Sequence, residues 1–193
     1  LDFSGIRRLS YTLAFLSGDT ASMHRYVDLT LSARDATAYG WQAHATAFAG
    51  GIQGAHRTFR QGIEMALQGD FREVAAQMGV EDAEAHATTG QCETARREVE
   101  EALASSRDNF TLERGGRALA FCGAASEALP LLRELERRFP EATLTQRVTV
   151  PLTQAALAVH QGESAHALEL LEAVRPYDHT QKAELWPPYL RGL

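Results

Sequence analysis

Apolar residues recur along this chain at three- and four-residue steps, and glycines followed by short polar turns interrupt them at regular intervals. One apolar stripe follows Gly123, and similar stripes follow Gly90 and Gly162, as expected for amphipathic helices. Strand-like patterns are almost absent. Only 145–153 is rich in β-branched residues, and we interpret it as the start of a helix with Pro151 near its first turn. The pattern predicts an all-α protein.

One short sequence motif occurs five times. It consists of a glycine, a few polar residues, and a small or apolar residue five positions after the glycine. The pairs are Gly18 and Met23, Gly50 and Ala55, Gly90 and Ala95, Gly123 and Ala128, and Gly162 and Ala167. The glycines are 32, 40, 33 and 39 residues apart, which is the range of two-helix repeats. A glycine in the left-handed conformation ends one helix, and the next helix then returns antiparallel to it.

These turns predict a ladder of helix pairs. The first helices are expected at 4–17, 36–49, 71–88, 109–121 and 146–160, and the second helices at 20–33, 53–67, 92–105, 125–138 and 164–174. A further helix is expected to begin near Gln181, with its partner beyond Leu193. No Pro- or Ser-rich linker interrupts the chain. We therefore expect one domain over 1–193, an α-α superhelix of about five antiparallel pairs plus a partial sixth, in part of a longer protein.

The segment 112–140 resembles a tetratricopeptide repeat. It has the family's small and large positions at Gly116, Leu119, Ala128, Leu132 and Leu135, and Pro140 closes the unit. The second repeat agrees at Ala43, Ala55 and Phe59, and the fifth at Ala155, Ala167 and Leu171. The first and third repeats agree less well, with Met23 and His86 at positions where other residues are preferred.

The sequence segments 7–16, 137–144 and 189–193 also resemble bacterial helical-repeat regions that follow serine/threonine kinase or winged-helix regulator domains. This resemblance implies a sensory or scaffolding part of a signalling protein. The chain has no Gly-rich phosphate loop and no HRD or DFG triplet, so any kinase activity would belong to other parts of the parent chain. We therefore do not expect an enzyme.

By analogy with the family, the first helices should form a concave wall. The residues expected to face this groove are Arg8, Thr12, His44, Phe48, Glu113, Arg117, Ala156 and His160. Arginine, histidine and phenylalanine can hold an extended peptide or a helix through charge-assisted hydrogen bonds and apolar pockets. Phe48 and Phe121 have an alternative interpretation, as fillers of the gaps between repeats.

Composition and charge narrow the choice of partner. The chain is 45% hydrophobic and 23% charged, which suits a folded domain, and its net charge of -6 argues against a nucleic-acid surface. Its apolar stretches are too short to insert in a membrane. Low cysteine use suits the cytoplasm, and an extracytoplasmic location remains open if the parent has a membrane segment.

Candidate chemistry is sparse. Seven histidines lack the HExxH spacing, and we expect no metal site and no cofactor. The acidic run at 81–84 is interpreted as a solvated helix face. Cys92 and Cys122 lie thirty positions apart. Buried free thiols are the simpler interpretation, and a disulfide remains open.

Three functions are compatible with these sequence features. The leading hypothesis is an interaction or scaffold module that recruits a protein or peptide. The alternatives are a helical array that senses a small ligand or peptide, and a structural spacer that forms a homodimer through its C-terminal helix. The apolar residues expected to drive that dimer are Leu185, Trp186, Tyr189 and Leu190.

Overall fold

A computed structural model describes residues 3–180 and 182–193. Over these residues the chain is helical and contains no strand, which confirms the predicted all-α class. The chain divides into two compact units, residues 1–82 (unit 1) and residues 83–193 (unit 2). None of the described helices is long and apolar enough to cross a lipid bilayer.

Eleven α-helices follow one another in the described residues. They are α1 (Phe3–Ser17), α2 (Thr20–Ser32), α3 (Thr37–Phe48), α4 (Ile52–Gln68), α5 (Arg72–Thr88), α6 (Cys92–Ser105), α7 (Asn109–Phe121), α8 (Ala125–Arg138), α9 (Val150–His160), α10 (Ser164–Val174) and α11 (Trp186–Arg191). Neighbouring helices pack in pairs: α1 with α2, α3 with α4, α7 with α8 and α9 with α10. The predicted bounds of the ten paired helices lie within one residue of these, except that a π-helical turn over Thr145–Thr149 precedes α9.

The turn glycines end their helices as predicted. All five have positive φ, between 66° at Gly123 and 84° at Gly50. The residue after each glycine donates its N–H to a carbonyl one turn back, as Gly51 does to Thr46 at 3.0 Å. This is the Schellman arrangement, and it satisfies carbonyls that the helix end would leave unpaired.

Two glycines of unit 2 should respond to alanine with opposite signs. Gly90 has φ 78° and open space where a Cβ would go, so Gly90→Ala should cost only the left-handed backbone energy, about 1–2 kcal/mol. Gly116 is helical, and an added Cβ would lie 3.8 Å from Leu131 and Leu132. Gly116→Ala should therefore stabilise by about 0.5–1 kcal/mol. Urea unfolding of both variants checks this, and a shift of the same sign in both would contradict it.

Each unit has its own apolar core. In unit 1, Phe59 of α4 is fully buried among Ala43, Ala55 and Met78. A second cluster of unit 1 gathers Tyr11, Val27 and Ala38. In unit 2 a larger core surrounds α7, which packs against α6, α8 and α9. The alanine and leucine positions that carry the repeat resemblance are buried in these cores.

The C-terminal residues differ from the prediction. The predicted helix start at Gln181 lies outside the described residues, and the observed helix begins at Trp186 after turns. Leu190 is only 3% exposed and Trp186 is half-buried against the core of unit 2, while Leu185 and Tyr189 are exposed. The expected apolar surface is therefore reduced to Leu185 and Tyr189, because the chain folds back on its own unit.

Cys92 and Cys122 form a disulfide, so the interpretation as free thiols was wrong. Cys92 is the first residue of α6, and Cys122 directly follows α7. Their Cα atoms are 5.5 Å apart. The bond therefore joins the turn after α7 to the start of α6 within unit 2.

Candidate functional site

Unit 1 contains a cleft of about 280 Å³ between α1 and α3. Its lining residues are Arg8, Tyr11, Thr12, Phe15, Trp41, His44, Ala45 and Phe48. These include all four residues of unit 1 that the sequence placed on the groove. We call this the α1–α3 cleft.

Tyr11 and Trp41 form the buried part of the α1–α3 cleft. Tyr11 is 6% exposed, and its hydroxyl donates to the carbonyl of Trp41 at 3.2 Å. The two ring centroids are 5.6 Å apart. Burial raises the pKa of Tyr11, so the hydroxyl stays protonated and remains a donor at neutral pH. The hydrogen bond and the ring contact join α1 to α3.

The rim of the α1–α3 cleft is aromatic and basic. Phe48 is 81% exposed, and its ring meets the edge of Phe15 with centroids 5.3 Å apart. Of the exposed large apolar side chains in the described residues, Phe48 is the most exposed. Arg8 and Thr12 are exposed on α1 at the same cleft. The same cleft therefore contains a water-accessible aromatic ring and an exposed arginine.

His44 connects the α1–α3 cleft to α5. Its Nε2 lies 3.3 Å from a carboxylate oxygen of Glu81, and its ring packs edge-on against Phe59 at 5.3 Å. These contacts fix the His44 ring beside the cleft and occupy the Glu81 carboxylate. Among the residues that line the cleft, Arg8 carries a permanent positive charge.

α1 carries a second exposed apolar surface. Ile6, Leu9, Leu13 and Leu16 are each more than half exposed. Their three- and four-residue spacing puts them on one face of α1, away from the face of Arg8 and Tyr11. A substitution on this face can therefore serve as a control for one in the α1–α3 cleft.

In unit 2, the predicted groove residues are mostly covered. Glu113 is 4%, Arg117 3% and Ala156 1% exposed, and His160 is exposed. The His160 Nε2–H donates to the carbonyl of Phe121 at 2.7 Å. Buried charges such as those of Glu113 and Arg117 need partners close by.

The partners of Arg117 form a network of two arginines and two glutamates. Arg114 and Arg117 each pair with Glu84 of α5, and each also pairs with Glu184 near the C terminus. The Arg117–Glu184 distance is 2.9 Å. Burial alone would raise the pKa of Glu84, but the charges of Arg117 and Arg114 outweigh it and hold that pKa below its usual range. Glu84 is therefore ionised at neutral pH.

Residues 182–193, which we call the C-terminal arm, supply the cover over this network. Lys182 pairs with Glu113, which also accepts from the Thr145 hydroxyl at 2.6 Å. Trp186 packs against Phe121 with ring centroids 4.7 Å apart. The face of α7 in unit 2 is thus occupied by the chain's own residues.

The acidic run at 81–84 was wrongly interpreted as a solvated face. In unit 1, Asp82 is 2% exposed, and its Oδ2 lies 2.6 Å from His56 Nδ1. In unit 2, Glu84 is 5% exposed beside Arg114 and Arg117. The sequence contained a partial signal, because arginines at 114 and 117 lie three residues apart on a predicted first helix. Nothing local indicated that Glu184 would join them.

Comparison with protein-family models, with curated proteins and with solved structures gave no significant match for this chain. Function must therefore be inferred from the residues and their geometry. The two features that bear on it are the open α1–α3 cleft of unit 1 and the arm-covered face of unit 2.

Proposed function

We propose that this chain is a helical-repeat interaction module whose α1–α3 cleft binds a peptide segment of a partner protein. The observation that carries the proposal is a cleft of about 280 Å³ that is lined by both the exposed Phe48 ring and the exposed Arg8. That volume is enough for one or two side chains of a peptide.

The charge of the α1–α3 cleft selects among peptides. Arg8 presents a guanidinium group, which binds carboxylates through paired hydrogen bonds. Phe15 and Phe48 present ring faces and edges that suit an aromatic or aliphatic side chain. The expected occupant therefore carries an acidic residue close to an aromatic or large aliphatic one.

An internal comparison supports an aromatic occupant. Phe48 lies two positions before Gly50, and Phe121 lies two positions before Gly123, so both end a first helix at the same register. In unit 2 the ring of Trp186 covers Phe121. A partner's aromatic ring would cover Phe48 in the same way.

The proposal also includes the way in which the helix pairs are arranged. The five Schellman turns at a constant register and the buried repeat positions support a tetratricopeptide-like superhelix, in which first helices carry the binding surface. A sensor of small ligands would favour a closed polar cavity, and the exposed aromatic rim favours a peptide instead. The Cys92–Cys122 disulfide favours the extracytoplasmic location over the cytoplasmic one, because such bonds persist in oxidising compartments.

Selection from a displayed library of random 12-residue peptides tests the proposal. Selected peptides should be enriched in an acidic residue near an aromatic one. Phe48→Ser should weaken their binding at least about tenfold, or about 1.4 kcal/mol. Arg8→Gln should weaken it about threefold to tenfold and reduce its dependence on salt. Fluorescence anisotropy with labelled peptides measures both effects.

Leu13→Ser is the matched control for Phe48→Ser, because Leu13 is 60% exposed on the other face of α1. It should change peptide affinity less than about twofold, since surface contacts outside a binding site contribute little. The proposal fails if the peptides bind Phe48→Ser as well as the parent chain, or if Leu13→Ser is the variant that loses binding.

A further inference from the structure

The C-terminal arm supplies one of the two carboxylates of the arginine–glutamate network of unit 2. Arg114 and Arg117 have side chains 13% and 4% exposed, and the α5 carboxylate that pairs with both is Glu84. Glu184 of the arm brings the second carboxylate. Lifting the arm would take this carboxylate away from both guanidinium groups, and an ion pair between largely buried groups is costly to break. The arm thus brings to this face a carboxylate from outside the helix pairs.

Solvent reaches the carboxylate that the arm supplies. The Glu184 side chain is 34% exposed, although both arginines that bind it are largely buried. Leu185 beside it is 61% exposed. The contact thus has the layout of a bound ligand, with a buried receptor side and an accessible ligand side.

The backbone of the arm is held in an unfavourable conformation. Glu184 and Leu185 have φ of 50° and 62°, and neither is glycine. Left-handed backbone costs a non-glycine residue about 1–2 kcal/mol. The side-chain contacts must therefore outweigh this cost. A separate peptide that presents the same side chains from an extended backbone would not bear it.

The end of the arm, in α11, is anchored separately from these contacts. Leu190 of α11 is 3% exposed in the core of unit 2. Ala183 is also buried, near Val148 and Val174, but its side chain is only a methyl group. Lifting Lys182–Trp186 off the face would therefore remove little apolar burial apart from Trp186.

We propose that Lys182–Trp186 is an internal ligand, which occupies a second peptide-binding face on unit 2 until a partner peptide replaces it. The partner peptide carries a carboxylate and, two positions later, an aromatic side chain, as Glu184 and Trp186 do. The carboxylate binds Arg114 and Arg117, and the aromatic ring covers Phe121. This inference rests on the proposed peptide-binding function but concerns a different face.

A synthetic peptide of residues 182–190 of this chain tests the exchange. It is measured against the whole chain and against a whole-chain variant with Glu184→Gln and Trp186→Ala. We expect the labelled peptide to bind the variant at least about tenfold more tightly, because the tethered competitor is weakened. The peptide should also raise the melting temperature of the variant, as any ligand of the folded state does.

Two controls distinguish an arm that a peptide can replace from an arm that only stabilises the fold. A peptide with glutamine and alanine at the positions of Glu184 and Trp186 should bind at least about tenfold more weakly. Adding Arg114→Gln to the variant should abolish binding of the parent peptide. Circular dichroism verifies that each variant is helical. If the double variant does not fold, Lys182→Gln replaces it, with an expected gain in peptide affinity of about threefold.

Equal affinity of the peptide for the chain and a folded variant would overturn the inference. A concentration-dependent dimer of the variant in light scattering would also overturn it, because a second copy would then be the occupant. The peptide also carries an acidic residue close to an aromatic one, so all of its affinities are measured in a Phe48→Ser background, in which binding at the α1–α3 cleft is weakened. The proposed exchange of the arm can therefore be refuted without refuting peptide binding at the α1–α3 cleft. The reverse also holds.

Discussion

Replacing Glu84 with glutamine should lower the free energy of unfolding by about 3–5 kcal/mol, since it removes one partner from a buried ion network. Glu84 is 5% exposed and pairs with both Arg114 and Arg117. Glutamine has nearly the same shape but no charge, so of the two carboxylates in the network only Glu184 would be left. Urea denaturation of the whole chain measures the loss.

Glu100→Gln is the matched control, because Glu100 is an exposed glutamate of α6 in the same unit. Its effect should stay within about 0.5 kcal/mol. A loss below about 1 kcal/mol for Glu84→Gln would show that the network contributes little to stability.

The same substitution should change the response to acid. The folded-state pKa of Glu84 lies below the ordinary value of 4.5, so its contribution is present above that pH. The contribution disappears as the pH falls through the lowered pKa. The parent chain should therefore lose more stability than Glu84→Gln as the pH falls below that ordinary value. Parallel acid titrations of the two proteins would contradict this expectation.

Removing the disulfide should have the second-largest effect. Cys92 and Cys122 are separated by 30 positions, and a cross-link of that length stabilises by about 3.6 kcal/mol, mainly by restricting the unfolded chain. The variant with both cysteines changed to serine should be less stable than the oxidised chain by about 2–4 kcal/mol. Urea denaturation measures the difference.

Reductant supplies the control for the disulfide. It should destabilise the parent chain to about the level of the double-serine variant and leave that variant unchanged. A thiol assay on the unfolded, unreduced chain should find no free thiol. Two free thiols in that assay would contradict the bond.

Much of the fold could be predicted because it is encoded locally. A left-handed glycine ends a helix whatever lies around it, so Gly18, Gly50, Gly90, Gly123 and Gly162 placed the ends of the first helices. The apolar stripes then indicated which faces of the helices meet. The β-branched residues after Thr145 form a π-helical turn and a helix, as interpreted.

The features that the sequence did not predict depend on contacts between distant residues. Glu184 lies 70 positions from Arg114 and 67 from Arg117, and no local pattern reports such a pairing. Asp82 and Glu84 were interpreted as solvated because charged residues usually are. The disulfide likewise depends on the Cα separation of two turns.

The candidate site was predictable only in part. Arg8, Thr12, His44 and Phe48 were placed by analogy with the family that the repeats resemble, and in unit 1 they line one cleft. Tyr11 and Trp41 were missed, because their aromatic side chains suit a core position as well as a cleft. In unit 2, the same analogy could not foresee that the chain would cover Arg117 with its own arm.

The peptide-binding function of the α1–α3 cleft is tested most directly by mapping backbone amide shifts in NMR spectra as a library-selected peptide is added. The largest changes should lie in α1 and α3, around Arg8, Thr12, His44 and Phe48, and Phe48→Ser should suppress them. Changes confined to α2 and α4, or changes that persist unaltered in Phe48→Ser, would contradict the proposed function.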